Sequence, residues 1–251
     1  MIKLLILGGV VLALGSAVLG INLKNNNGGV KDIPTLSTPV VPTLITNQNK
    51  TVKRVKTLNL DPERTILILG EIGNNALNAA QTLKELEDQS NDPIYIILDS
   101  PGGSVIDGNV LVSAIESSRA PVHTICHRIC ASMAAVIHQY GNQRMMVDRS
   151  VLMFHQASAS SQGTIDEMKS MTDFLYNYIE KTERFIANRA GMPYDQYKLS
   201  NMKNIWIDSE DATAKKFNDQ IISINIQSSE IVSELKQYAT KGRIKDVQWK
   251  N

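Results

Sequence analysis

The chain has 251 residues, of which 43% are hydrophobic, and a formal net charge of +1. This length and apolar content are sufficient for one large domain with its own core, while the near-neutral charge gives no electrostatic reason to expect binding to nucleic acid. The chain has two cysteines, Cys126 and Cys130. We predict that both are buried thiols, and because two are too few for a metal framework, we expect no metal and no cofactor.

The N-terminus contains an apolar segment without charge. Residues 4–23 lie between Lys3 and Lys24 and carry no charged side chain. About 20 such residues can cross a bilayer as a helix. The segment is therefore either a retained membrane anchor or a signal peptide cleaved after small residues such as 15–17. We predict an anchor or signal peptide over residues 1–24, hence a membrane or exported protein, and leave open on which side the following domain lies, since basic residues flank both ends.

A linker and then an alternation of strands and helices follow the apolar segment. Residues 25–57 are rich in Asn, Thr, Pro and Gly, which predicts a flexible tether unless part of it packs as an edge strand. Beyond it, buried-strand patterns alternate with amphipathic-helix patterns, which indicates parallel strands joined by right-handed crossovers. The predicted strands are 65–70, 94–98, 122–126, 150–156 and 221–226, and the predicted helices are 76–86, 106–115 and 133–140.

Three of the predicted strands end in residues that suit nucleophilic chemistry. The first runs into a turn with Gly102 and Gly103, where the backbone can approach a ligand and an N–H group can face the site. Ser132 lies where a strand ends and a helix begins, so the free N–H groups of the new helix face any oxyanion formed there. His155 ends another strand and is of the type most used as a general base. Alone, Ser132 would be only a helix N-cap; the three strand ends together indicate a catalytic site.

The sequence blocks at 99–105, 130–134 and 149–156 resemble the proteolytic subunit of Clp protease (ClpP), a serine peptidase family. The resemblance covers roughly residues 58–226, which we take as the protease domain, and it implies an α/β fold, a ClpP/crotonase-like spiral of βαβ units. It also implies that Ser132 is the nucleophile, that His155 is the base, and that the backbone N–H groups of Gly103 and Met133 form the oxyanion hole.

A long amphipathic helix is predicted over residues 164–190. Thr164 and Glu167 form a capping-box pattern, and Gly191 with Pro193 ends the helix. A helix of about 27 residues is roughly 40 Å long and would protrude from a domain of this size. In the ClpP family the matching helix is the handle through which two rings meet, so the resemblance implies a homo-oligomeric ring. The alternative is a helix packed back on its own domain.

The segment 201–212 resembles the family block that carries the third catalytic residue, but Asn204 stands where the family usually has aspartate. An asparagine oxygen can accept the Nδ1–H of His155 and hold its tautomer, although it brings no full charge. We therefore predict a Ser132–His155–Asn204 set with weak or slow hydrolysis, unless a nearby aspartate reaches the imidazole. Those alternatives are Asp195, Asp208 and Asp211.

A second departure from the family pattern is Arg128, which stands where the family usually has glycine. A long side chain beside the nucleophile would narrow the substrate groove, bind a carboxylate or simply extend into solvent. After the protease domain, residues 227–251 form a mixed-charge tail with one predicted helix over 231–238 and no counterpart in the family.

Three functions are consistent with these observations. The first is a ClpP-like serine endopeptidase that hydrolyses unfolded polypeptides in an oligomeric chamber, ATP-dependent only if a Clp-type ATPase is its partner. The second is a membrane-associated Ser/Lys peptidase of the signal-peptide-peptidase kind, in which Lys169 or Lys181 would have to reach Ser132. The third is an inactive assembly subunit or a crotonase-like acyl-CoA binder. The Ser–Met pair at the strand-to-helix turn favours a nucleophile and hence the first.

Overall fold

The computed structural model describes residues 55–158 and 162–241. Within them the chain forms a curled sheet in the order β1-β8-β5-β4-β3-β2, and β6 and β7 are attached beside β4. The strands are β1 (Lys56–Leu60), β2 (Thr65–Leu69), β3 (Ile94–Ser100), β4 (Val122–Ala131), β5 (Arg144–Val147), β6 (Val151–Phe154), β7 (Ile205–Asp208) and β8 (Gln220–Ile226). The helices are α1 (Asn74–Gln89), α2 (Val105–Ser117), α3 (Met133–Tyr140), α4 (Ile165–Ala190), α5 (Tyr194–Asn201), α6 (Ser209–Ala214) and α7 (Ser229–Lys241).

The predicted alternation of parallel strands and helices is confirmed. The ladders are parallel except the antiparallel pair β6–β7. Successive residues of β3 point to opposite faces of the sheet: Ile96 packs into the core under α1, α2 and α3, whereas Ile97 packs into a second apolar cluster with Leu235 of α7. Both faces are therefore covered, which explains why the central strands are apolar throughout.

Strands β5 and β7 and helix α5 were not predicted from the sequence, and β1 was given only as the alternative to a flexible tether. Strand β1 begins at Lys56, inside the predicted tether, and pairs with β8 at the sheet edge. Strand β5 has four residues and α5 has eight, so neither is long enough to show a clear period. These short elements take their structure from the neighbours against which they pack.

Strand β4 is longer than predicted because it changes partners partway along its length. It pairs with β5 through residues 124–126 and with β6 through residues 129–131, and its register on β3 shifts between Leu98 and Ser100. Such a bulge bends a strand and redirects its side chains. Here the bend carries the chain on to Ser132, at the end of the strand.

Arg128 lies at this bend and is held by its neighbours. Its Nε donates to Oδ2 of the buried Asp99 at 2.5 Å, and Nδ1 of His127 donates to the same oxygen at 3.1 Å. The guanidinium also lies over the ring of Tyr238, 5.2 Å from its centroid. Arg128 therefore ties α7 to the end of β3 and does not line the cavity next to Ser132.

The long helix α4 stands clear of the domain over its N-terminal half, as predicted. The capping box of Thr164 and Glu167 is present, and Gly191 ends the helix in a left-handed conformation with φ of 66°. Buried residues occur only at 186, 187 and 190, near the C-terminal end. Near the start, Ile165 and Phe174 are 81% and 61% exposed.

The membrane localisation predicted from residues 4–23 is contradicted, and we withdraw it. Across residues 55–158 and 162–241 no helix is both long and apolar enough to span a bilayer. Helix α4, with 26 residues, has the length but carries charges such as Asp166, Lys169 and Asp173. The segment 1–24 itself lies outside the described residues.

His138 of α3 is a buried histidine in a charged neighbourhood. Its side chain is fully buried, and the charged groups around it are Arg144, Asp219 and Arg189. Burial, reinforced by Arg144, lowers the pKa of His138 to about 3 from the ordinary 6.5. The folded protein therefore holds this imidazole neutral, whereas the unfolded chain protonates it below pH 6.5.

We expect the free energy of unfolding to fall as the pH is lowered from 6.5, because only the unfolded chain takes up the proton of His138 in this range. The loss approaches about 1.4 kcal/mol per pH unit for one such group. In His138→Gln, urea unfolding measured between pH 7 and about 4.5 should show a shallower dependence on pH. Parallel pH dependences in the two proteins would contradict the assignment.

Candidate active site

Ser132 occupies a strained turn between β4 and α3. Its backbone has φ of 54° and ψ of −123°, a conformation that costs a non-glycine residue roughly 1–3 kcal/mol. The turn is held by two hydrogen bonds: the Ser132 N–H donates to the Met153 carbonyl at 2.8 Å, and the Val136 N–H donates to the Ser132 carbonyl at 3.1 Å. A sharp strand-to-helix turn of this kind presents the hydroxyl at the edge of the sheet.

His155 lies against this hydroxyl, with its Nε2 2.7 Å from Ser132 Oγ. The contact follows from the sheet, because β6 pairs with the end of β4 in the register Ala131 to Met153, and His155 follows β6 directly. When Nε2 accepts a hydrogen bond from the Ser132 hydroxyl, the neutral imidazole carries its one proton on Nδ1. The predicted nucleophile and base are thus within reach for proton transfer.

The diglycine turn approaches Ser132 from the end of β3. A Cβ at Gly102 would lie 2.5 Å from the Ser132 Cβ, so a larger residue does not fit there. Gly103 has φ of 149° and bridges to Ile72, whose carbonyl oxygen a Cβ would meet at 2.3 Å. Within residues 55–158 and 162–241, no hydrogen bond is recorded for the backbone N–H of Gly103 or of Met133, the first residue of α3. Both N–H groups are therefore available to an oxyanion.

A cavity opens beside the Ser132–His155 pair. Its walls combine the strand ends with the faces of α4 and α5, and most of its lining is apolar. A concave apolar site with a few convergent polar groups is the usual form of a substrate pocket. The residues from the two helices are Tyr178, Ile179, Thr182, Glu183, Ile186, Tyr197 and Asn201.

The structure does not bring Asn204 to His155. The side chain of Asn204 is exposed and lies outside the cavity, and its left-handed backbone ends the turn after α5. Asn201, which is 3% exposed, lines the cavity instead. Asn201 rather than Asn204 is thus the asparagine that lines the cavity, and the catalytic role predicted for Asn204 remains a prediction. The signal for Asn201 is its position four residues after the buried Tyr197, which is visible only once α5 is known to be helical.

The other candidate bases lie away from Ser132. Lys169 and Lys181 are exposed and do not line the cavity, and Lys169 forms an ion pair with Asp173 at 2.5 Å one turn along α4. The Ser/Lys mechanism is therefore not favoured. The alternative aspartates are likewise outside the cavity: Asp195, Asp208 and Asp211.

Comparison with known proteins identifies the family of this chain. Residues 47–225 match the Clp protease family model. The chain is 27% identical over 164 residues to the ATP-dependent Clp protease proteolytic subunit 2 of Bacillus licheniformis, which covers 64% of this chain and 86% of that protein. It is also 27% identical over 163 residues to the protein of the same name from Parasynechococcus marenigrum, with 62% and 82% covered. Since the family match extends over more than half of its length, the chain belongs to the Clp protease family.

Proposed function

We propose that this chain, a serine-type endopeptidase of the Clp protease family, hydrolyses peptide bonds of unfolded polypeptides through Ser132 and His155. The observation that carries the proposal is the 2.7 Å contact between Ser132 Oγ and His155 Nε2 at a strained strand-to-helix turn. Strain held at such a turn is typical of catalytic nucleophiles. An inactive subunit would have no need to maintain it.

The geometry supports acyl transfer in two steps. Ser132 Oγ attacks the substrate carbonyl while His155 Nε2 takes its proton, and the N–H groups of Gly103 and Met133 stabilise the oxyanion. The peptide C–N bond then breaks, and His155 gives the proton to the leaving amine. Water, deprotonated by His155, next attacks the acyl-enzyme; the ester bond to Ser132 Oγ breaks, His155 returns the proton to Oγ, and the second peptide leaves.

We further propose that the protein assembles into a chamber through α4 and that a Clp-type ATPase feeds it. Exposed apolar side chains along the protruding half of α4 support assembly, because an isolated helix would leave them in water. The relatives named above are proteolytic subunits of an ATP-dependent protease, which supports the ATPase partner. The exposed side chains are Ile165, Met171, Phe174 and Tyr176.

A direct test uses the full-length chain, a fluorophosphonate probe and an unfolded polypeptide. We expect one probe adduct, located on Ser132 by peptide mass spectrometry, together with cleavage of the polypeptide. Light scattering of the same sample should give a mass several times the 27.7 kDa of one chain. Folded protein that neither takes the probe nor cleaves the polypeptide would contradict the proposed function.

A further inference from the structure

Glu183 of α4 lies directly behind Asn201 of α5. Its Oε1 accepts a hydrogen bond from Asn201 Nδ2 at 2.8 Å, and its Oε2 accepts one from the Tyr194 hydroxyl at 3.2 Å. Glu183 and Asn201 both line the cavity that contains His155. A carboxylate, a buried amide and the imidazole thus share one site.

The carboxylate of Glu183 determines which way the side-chain amide of Asn201 is oriented. An ionised carboxylate can only accept hydrogen bonds, so the NH₂ of Asn201 must face Glu183 and its Oδ1 must face away. That oxygen is buried and has no hydrogen-bond partner among residues 55–158 and 162–241. His155 carries a matching proton on Nδ1, because its Nε2 is engaged by Ser132. The cavity thus contains one unused acceptor and one unused donor.

We propose that Glu183 is a positioning residue for the peptidase reaction, an inference that rests on the proposed function. Glu183 orients Asn201 so that Oδ1 accepts the Nδ1–H of His155, and its carboxylate supplies the negative charge that the amide lacks. In a Ser-His-Asp triad the carboxylate bonds directly to the imidazole, whereas here Asn201 stands between the carboxylate and His155. The cavity is largely apolar, so the charge is weakly screened over this longer distance. It stabilises the imidazolium that forms when Ser132 attacks.

The titratable groups that face Glu183 from α5 do not compete for this role. Burial, together with the charge of Glu183 and the hydrogen bond to it, raises the pKa of Tyr194 to about 12. Burial and Glu183 also raise the pKa of Tyr197. Both phenols are therefore neutral near neutral pH. On α4 itself, Glu180 is paired with Arg184 and does not line the cavity, whereas Glu183 lines it and accepts from Asn201.

Glu183→Gln tests the charge and leaves a hydrogen-bonding side chain of the same size. The amide oxygen can still accept from Asn201, so the contact between α4 and α5 is kept. We expect kcat to fall by about 10-fold or more, with little change in KM. This is a part of the rate enhancement of roughly 10²–10⁴-fold that general-base catalysis provides. The acid limb of the pH–rate profile should move to lower pH, because the imidazolium loses a nearby negative charge. A purely structural role would instead lower the thermal midpoint and leave kcat and the pH profile unchanged, which would overturn the inference.

A charge exchange provides the second test. In Glu183→Gln with Asn201→Asp, the carboxylate moves next to His155 and the new amide at 183 donates to it, so kcat should return to the wild-type value or exceed it. Asn201→Asp alone places two carboxylates about 3 Å apart, of which one takes up a proton, so it should be less active than the double variant. A double variant no more active than Glu183→Gln would overturn the inference. Lack of probe labelling in the wild-type protein would instead refute the proposed function.

Discussion

His155→Ala should lose almost all fluorophosphonate labelling at Ser132, and its kcat/KM for a peptide substrate should fall by about 10⁴-fold or more. The physical reason is that a serine hydroxyl is a weak nucleophile until a base removes its proton. Among the described residues, the basic atom that lies within hydrogen-bond distance of Ser132 Oγ is Nε2 of His155. Labelling rates are measured by intact-protein mass spectrometry, and kcat/KM with a fluorogenic peptide.

The lysine variants are the matched controls for this result. Lys169→Ala and Lys181→Ala should label at the wild-type rate, because both side chains lie outside the cavity. Ser132→Ala should take no probe at all. If His155→Ala labels normally while either lysine variant does not, the base has been assigned to the wrong residue and the Ser/Lys mechanism returns.

Gly103→Ala should lower kcat by about 10²-fold or more and also reduce stability. A Cβ at this position would lie 2.3 Å from the carbonyl oxygen and 2.7 Å from the nitrogen of Ile72, so the backbone has to move. The left-handed φ of 149° adds strain for any residue with a side chain. Movement of this turn displaces one of the two oxyanion donors, and loss of one such donor costs about 10²–10³-fold in kcat. Rates are expressed per folded molecule, with the folded fraction taken from circular dichroism.

Gly73→Ala is the control for a glycine substitution close by in the chain. A Cβ at Gly73 meets nothing within 4 Å, and its φ of −171° lies outside the left-handed region. This variant should keep the wild-type kcat and nearly the wild-type thermal midpoint. A Gly103→Ala protein with wild-type kcat would show that the turn does not contribute to the oxyanion hole.

The order of the elements could be predicted because each long element carries its own signal. Strands such as β3 are buried on both faces and read as continuous apolar runs, whereas α4 shows a helical period, a capping box and a terminal glycine. The membrane localisation was wrong, although the apolar run that suggested it is plain in the sequence. Binding of a carboxylate was one of the alternatives for Arg128, but the sequence did not identify Asp99 as the partner, because that contact depends on the bulge in β4.

The sequence by itself predicted that Ser132 and His155 form a pair, because both stand at the ends of strands whose pattern is local, and the structure places them in contact. The ends of neighbouring parallel strands lie at one edge of a sheet, so the serine and the histidine could be expected to lie close together. Only the tertiary structure decided that Asn201 rather than Asn204 lines the cavity and that Glu183, 18 residues before Asn201, bonds to it. Two side chains on separate helices meet only when packing sets the rotation of each helix about its axis, and no local periodicity of the chain encodes that rotation.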